Sequence, residues 1–203
     1  MAPTDSAPSK PTIIFILGAW HVPAHLEPLA TRLRNAGYIS VHIPSLPSIG
    51  TRPALTDALG ADSAVIREIL NHAIDSAGED VVLVAHSYGG VPCCEAAAGY
   101  SKAERQARGL RGGVIRLVFI AAAVLEVGDS VQTNRYNPPE NMNPEFATAG
   151  VMLEGEDAGL IAIGDSAAAH SIFYNDVDEK EAARWFALMK PISIKFVIFL
   201  VVI

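Results

Sequence analysis

Val81-Val82-Leu83-Val84-Ala85-His86-Ser87-Tyr88-Gly89-Gly90 is the stretch that decides the reading of this chain. Four β-branched or aliphatic residues in a row mark a parallel strand covered on both faces. Two glycines follow the serine, and residues 93–98, Cys-Cys-Glu-Ala-Ala-Ala, then read as a short helix of small residues. Strand, sharp turn and helix are the context that gives a G-x-S-x-G-type turn its meaning. At such a turn the serine sits in strained backbone with its hydroxyl above the sheet. Strand and helix nearly touch there, so small residues are needed two before and two after it. Ala85 and Gly89 meet that need, with Ala in place of the first Gly. The bland reading of Ser87, an ordinary turn serine, weighs less than the nucleophile reading once these flanks are counted.

Working outward, residues 12–17 read as a second buried strand ending at the turn Gly18-Ala19-Trp20-His21. Pro23 is placed to open a helix, with Leu26, Leu29, Ala30 and Leu33 as its apolar stripe and Gly37 as its C-cap. Residues 38–43 read as a strand, 44–53 as a Pro/Ser/Gly loop, 62–76 as a helix and 114–123 as a fourth strand. This β-α alternation with short loops predicts an α/β fold, a parallel sheet with helices on both faces. In such sheets the site lies beyond the carboxyl ends of the strands. The Gly18 turn and Ser87 therefore share one rim. From about residue 125 to 190 the loop signals multiply and short helical pieces such as 179–189 appear, which reads as a helical cap over the rim and not as more sheet. The expected organisation is a loose tail over residues 1–11, a core over 12–124, a cap over 125–190 and an atypical hydrophobic tail over 191–203.

Bulk properties narrow the function classes. The chain has 203 residues, half of them apolar, and a formal net charge of −7. That suits one sizeable core and argues against nucleic acid or an anionic membrane as the main partner. Lys102, Arg105, Arg108 and Arg111 run the other way and read as a solvated helix end. The only cysteines, Cys93 and Cys94, are adjacent and read as small core residues, not a bridge or a metal site. Residues 1–11 show no signal-peptide pattern, which makes a cytoplasmic protein the expectation. No metal-ligand spacing and no phosphate loop of the right pattern occurs, so no cofactor is expected. A small-molecule substrate is the expected partner, and homo-oligomers stay open.

Three motifs together resemble the α/β-hydrolase superfamily. They are Ile16-Leu17-Gly18-Ala19-Trp20-His21-Val22-Pro23-Ala24-His25, Ala85-His86-Ser87-Tyr88-Gly89-Gly90 and Phe173-Tyr174-Asn175-Asp176. Within that superfamily they are similar to the small branch of plant methylesterases, plant hydroxynitrile lyases and many fungal and bacterial hydrolases. Leu17 stands where that branch usually has His. The resemblance implies Ser87 as nucleophile, with the backbone N–H groups of Ala19 and Tyr88 as an oxyanion hole. It implies substrate contact for Trp20 and a flanking role for His86, either packing or substrate contact. The implied chemistry is serine hydrolysis of a small ester or amide through an acyl-enzyme. Hydroxynitrile-lyase-like or cofactor-free chemistry is the alternative on the same fold, and small-ligand binding without catalysis the alternative outside it.

One departure accompanies the match. The fold's triad runs Ser, then Asp or Glu, then His along the chain. The acid and His are expected after the cap, yet residues 192–203, ISIKFVIFLVVI, contain neither. His170 is the only histidine after Ser87, and Asp129 or Glu126 could supply an acid. His170 reads as a cap histidine and not as the base, so this chain is expected to be catalytically impaired. Residues 192–203 are also expected to be poorly anchored or borrowed as a strand, and to limit solubility.

Overall fold

Strands β1 (Thr12–Ile16), β2 (Val41–His42), β3 (Asp80–His86) and β4 (Gly113–Ile120) form a parallel sheet in the order β2-β1-β3-β4. The computed structural model describes residues 10–126 and 149–193. β1 and β3 are the central pair, in register from Thr12 opposite Val81 to Ile16 opposite Ala85. Their unbroken apolar runs follow from burial on both faces. On one face Ile14, Ile16, Val81, Leu83 and Ala85 pack against α2 (Ala58–Leu70) and α3 (Gly90–Ala97) through Ile66, Leu70, Cys93 and Ala96. On the other, Ile13 and Phe15 pack against Ala30 of α1 (Glu27–Asn35). A fourth helix, α4 (Lys102–Ala107), leads into β4.

β4 is the outer strand of this sheet. Its Ile115, Leu117, Phe119 and Ile120 are all exposed to solvent, although the strand's composition is that of an interior one.

Several local readings shift. α2 begins four residues before the expected start because Asp57 caps it, accepting from Gly60 N–H at 2.8 Å. A π-helical turn, Asn71–Ser76, continues it. β2 shrinks to two residues. Leu29 faces solvent, and Leu26, Ala30 and Leu33 alone form the inward stripe of α1. Arg105 is not part of a solvated face. It is buried, donates to the carbonyls of Gly112 and Arg111 at 3.2 Å, and pairs with Asp75 at 2.7 Å.

The region after the sheet is not purely helical. It holds α5 (Ser166–Phe173) and α6 (Glu179–Phe186), each capped by an aspartate, Asp165 and Asp178. Beside them lies an antiparallel sheet of β5 (Gly150–Met152), β6 (Leu160–Ile163) and β7 (Ile192–Ser193), in that order. The apolar Leu160-Ile161-Ala162-Ile163 run pairs with β5 on one side and with the distant Ile192 and Ser193 on the other. Ile161, Ile163, Ala169 and Ile192 join the main core, so this region packs directly onto the sheet's helices and loops. Ile192 and Ser193 are fully buried and paired with β6, so these two residues follow the strand alternative of the expectation and not the poor anchoring. The expectations for residues 1–9, for residues 194–203 and for Asp129 lie outside the described residues. Among the described residues, no helix is long and apolar enough to cross a membrane.

Candidate active site

Ser87 follows β3 directly and opens the turn into α3 with φ +51°. A left-handed conformation is uncommon for a residue with a side chain and persists only where the surroundings fix it. Here they do. A Cβ on Gly89 would lie 2.4 Å from the Ile16 carbonyl oxygen and 2.5 Å from that of Leu17, so α3 can approach β1 only with hydrogen at this position. The Ser87 carbonyl also accepts from Ala123 N–H at 2.9 Å. The local sequence thus produces the strained strand-to-helix turn expected of it.

The loop after β1 closes over the same point. A Cβ on Gly18 would stand 2.9 Å from Ser87 Cβ and 3.0 Å from His86 Nδ1. The turn carrying Ala19 therefore lies against Ser87, on the same rim. Trp20, for which substrate contact is the expectation, is bonded into the fold. It is 7% exposed, and its indole N–H donates to the Ile161 carbonyl at 3.0 Å. Its own carbonyl accepts from Lys190 N–H at 2.9 Å. Trp20 ties the β1 loop to the region after the sheet, and burial of its ring explains why.

His21 belonged to a motif in the sequence but had no role assigned from it. The structure makes it the centre of an aromatic cluster. Its ring centroid lies 4.8 Å from that of His25, 5.1 Å from Phe173 and 6.5 Å from His86. Burial lowers its pKa to about 4 from 6.5, the neighbouring His25 and His86 add to this, and the bond to Ala19 opposes it. The neutral ring donates from Nδ1 to the Ala19 carbonyl at 2.8 Å and accepts from Tyr174 O–H at Nε2, 3.1 Å away. Burial also lowers the pKa of His86.

A depressed histidine pKa has a fixed sign for stability. Between pH 6.5 and about 4 the unfolded chain binds a proton at this position that the folded chain does not. His21's contribution is therefore complete above pH 6.5 and is lost as the pH falls toward 4. The melting temperature is expected to drop across that window, and His21→Gln to flatten the drop. An equally steep drop in the variant would show that other groups govern it.

His170 lies on α5, and its Nε2–H donates to the Val177 carbonyl at 3.0 Å within its own region. Glu126 is exposed. Cys93 is buried in α3 and its thiol is pushed up to about 12, which makes it an inert packing residue. Among the described residues, no group of three or more His, Cys, Asp or Glu could hold a metal ion.

A buried polar cluster beside the turn escaped the sequence reading. Asp62 accepts from Ser48 N–H at 2.8 Å, Ser48 O–H at 2.7 Å and Tyr88 O–H at 2.7 Å. Its partners come from a loop and from the serine turn, far away in sequence, so no local pattern announces it.

Residues 13–195 match the α/β hydrolase family. The chain belongs to this family. Among its relatives, this α/β hydrolase is 32% identical over 175 residues to the α/β hydrolase nvfD of Aspergillus novofumigatus, covering 85% of this chain and 64% of nvfD. It is 30% identical over 122 residues to the probable hydrolase R7 of a Phoma species, covering 60% of this chain and 46% of that protein. It thus spans less than two thirds of the length of either relative. Polyneuridine aldehyde esterase has the same fold, with TM-score 0.68 at 17% identity over 92% of this chain and 71% of the esterase.

Proposed function

We propose that this α/β hydrolase is a serine hydrolase fold that attacks a small ester or amide through Ser87. The observation that carries this is Ser87 at φ +51° beneath the Gly18 turn. In this reading the Ser87 hydroxyl attacks the carbonyl carbon and the carbonyl oxygen becomes an oxyanion. The backbone N–H groups of Ala19 and Tyr88 donate to that oxyanion. Collapse of the tetrahedral species expels the alcohol or amine and leaves an acyl-Ser87, which water then releases. The esterase named among the structural neighbours supports an ester as substrate. Phe173 and Tyr174 pack on His21, whose ring lies 6.5 Å from that of His86, the residue before Ser87, and such an aromatic surface favours an apolar acyl or alkyl group. The region carrying α5 and α6 acts as a cap that excludes water.

Serine is a weak nucleophile without a base. Among the described residues, His21, His25 and His170 are each engaged in hydrogen bonds with their neighbours. Turnover by these 203 residues is accordingly slow, with the oxyanion hole as its main source. Covalent labelling of Ser87 by a fluorophosphonate, with Ser87→Ala as the control, tests the nucleophile assignment.

A further inference from the structure

The Asp62 cluster is the buried titratable group that the proposed chemistry leaves unused. Asp62 and Ser48 are 0% exposed, and Tyr88 is buried as well. Removing a carboxyl group wholly from water is costly unless its oxygens find donors. All three donors on Asp62 are neutral, and none of them is a cation that would offset the burial by charge pairing. Burial raises its pKa, against the three hydrogen bonds that lower it.

The cluster joins three pieces of chain. Asp62 is in α2. Tyr88 is the residue after Ser87. Ser48 sits in the loop before α2, and its carbonyl accepts from Ser193 N–H of β7 at 2.9 Å, while Gly50 N–H donates to Pro191 at 2.8 Å. Tyr88 is the middle residue of the short helical turn Ser87–Gly89, at which the strained backbone of Ser87 must be held. A hydroxyl fixed at the far end of its side chain restrains the ring, and through it the Tyr88 backbone.

We infer that Asp62 and Ser48 form a clamp on the Tyr88 hydroxyl, a set of positioning residues that holds the Tyr88 backbone N–H in place as an oxyanion donor. The link to catalysis rests on the serine-hydrolase reading above. The clamp itself does not, because it concerns the order of the turn. The clamp contributes geometry and not charge, since Asp62 reaches the reacting atoms only through Tyr88. An oxyanion donor displaced by a fraction of an ångström loses much of its value, because these bonds act only at the right distance and angle.

The test uses Tyr88→Phe, which removes one hydroxyl and leaves the Ser48–Asp62 bonds in place, together with Asp62→Ala and Asp62→Asn. Ser63→Ala, one residue along α2 and also buried, is the control for loss of a hydroxyl. Two quantities are read on folded protein, amide hydrogen exchange of peptides spanning 86–90, and kcat and KM for the slow hydrolysis of p-nitrophenyl acetate. Tyr88→Phe and Asp62→Ala are expected to raise exchange in 86–90 about tenfold, as for loss of one buried hydrogen bond. They are expected to lower kcat about tenfold with KM unchanged, less than the roughly 100- to 1,000-fold that follows loss of a donor outright. Asp62→Asn keeps the shape, lets both hydroxyls turn and bond again, and is expected to recover most of both readings. Ser63→Ala should change neither. Should Asp62→Ala fail to fold, Tyr88→Phe carries the test alone. Unchanged exchange in Tyr88→Phe overturns the clamp, as does faster exchange with unchanged kcat. If the unaltered protein hydrolyses no ester above buffer, the serine-hydrolase reading fails, and exchange in Tyr88→Phe still decides the clamp by the same criterion.

Discussion

Short p-nitrophenyl esters are expected to be turned over by this 203-residue chain only faintly, on the order of a million-fold below an enzyme with a complete triad. The serine hydroxyl needs a histidine to take its proton, and the histidine needs an acid to orient it and to stabilise its charged form. His170 is the one histidine after Ser87, and its Nε2 bonds to Val177 O at 3.0 Å. His21 is buried with a pKa near 4, and both ring nitrogens are engaged. What remains is the hole and binding, which in characterised triads leave roughly 1,000- to 10,000-fold over water. The measurement is steady-state hydrolysis by the unaltered chain, Ser87→Ala and His170→Ala. Robust turnover lost in both variants would make His170 the base. Robust turnover lost in Ser87→Ala alone would place the base elsewhere, for instance on a partner chain.

The second large effect concerns Ala19. Ala19→Pro removes the backbone N–H assigned to the oxyanion and is expected to cost about 100- to 1,000-fold in the residual rate. Ala19→Gly keeps that N–H and should retain most of the rate. Ala19 is 8% exposed and the Gly18 turn presses on Ser87, so the melting temperature of each variant is compared first. A folded Ala19→Pro with an unchanged rate would remove Ala19 from the hole.

The serine turn was legible in the sequence because its requirements are local. Four aliphatic residues, a serine and two glycines within ten positions define strand, strain and close approach, and Gly89 shows why, with its Cβ position filled by the carbonyls of Ile16 and Leu17. The parallel sheet was legible for the same reason, through the unbroken runs of β1 and β3. Features that depend on distant partners were not. β6 gains its second neighbour by pairing with Ile192, Arg105 is buried where it meets Asp75, and Asp62 enters a buried cluster by meeting Tyr88 and Ser48. Trp20 was only partly legible, because an aromatic residue beside such a turn suits a pocket wall and a buried strut equally well. Its bond to Ile161, far along the chain, is the part that no local pattern announces.

The central claim, that Ser87 is the nucleophile, is tested most directly by prolonged exposure of the folded chain to a fluorophosphonate, followed by peptide mass spectrometry. The account predicts slow labelling confined to the peptide that contains Ser87 and abolished in Ser87→Ala. Adducts on other residues with none on Ser87, or labelling that persists unchanged in Ser87→Ala, would contradict it.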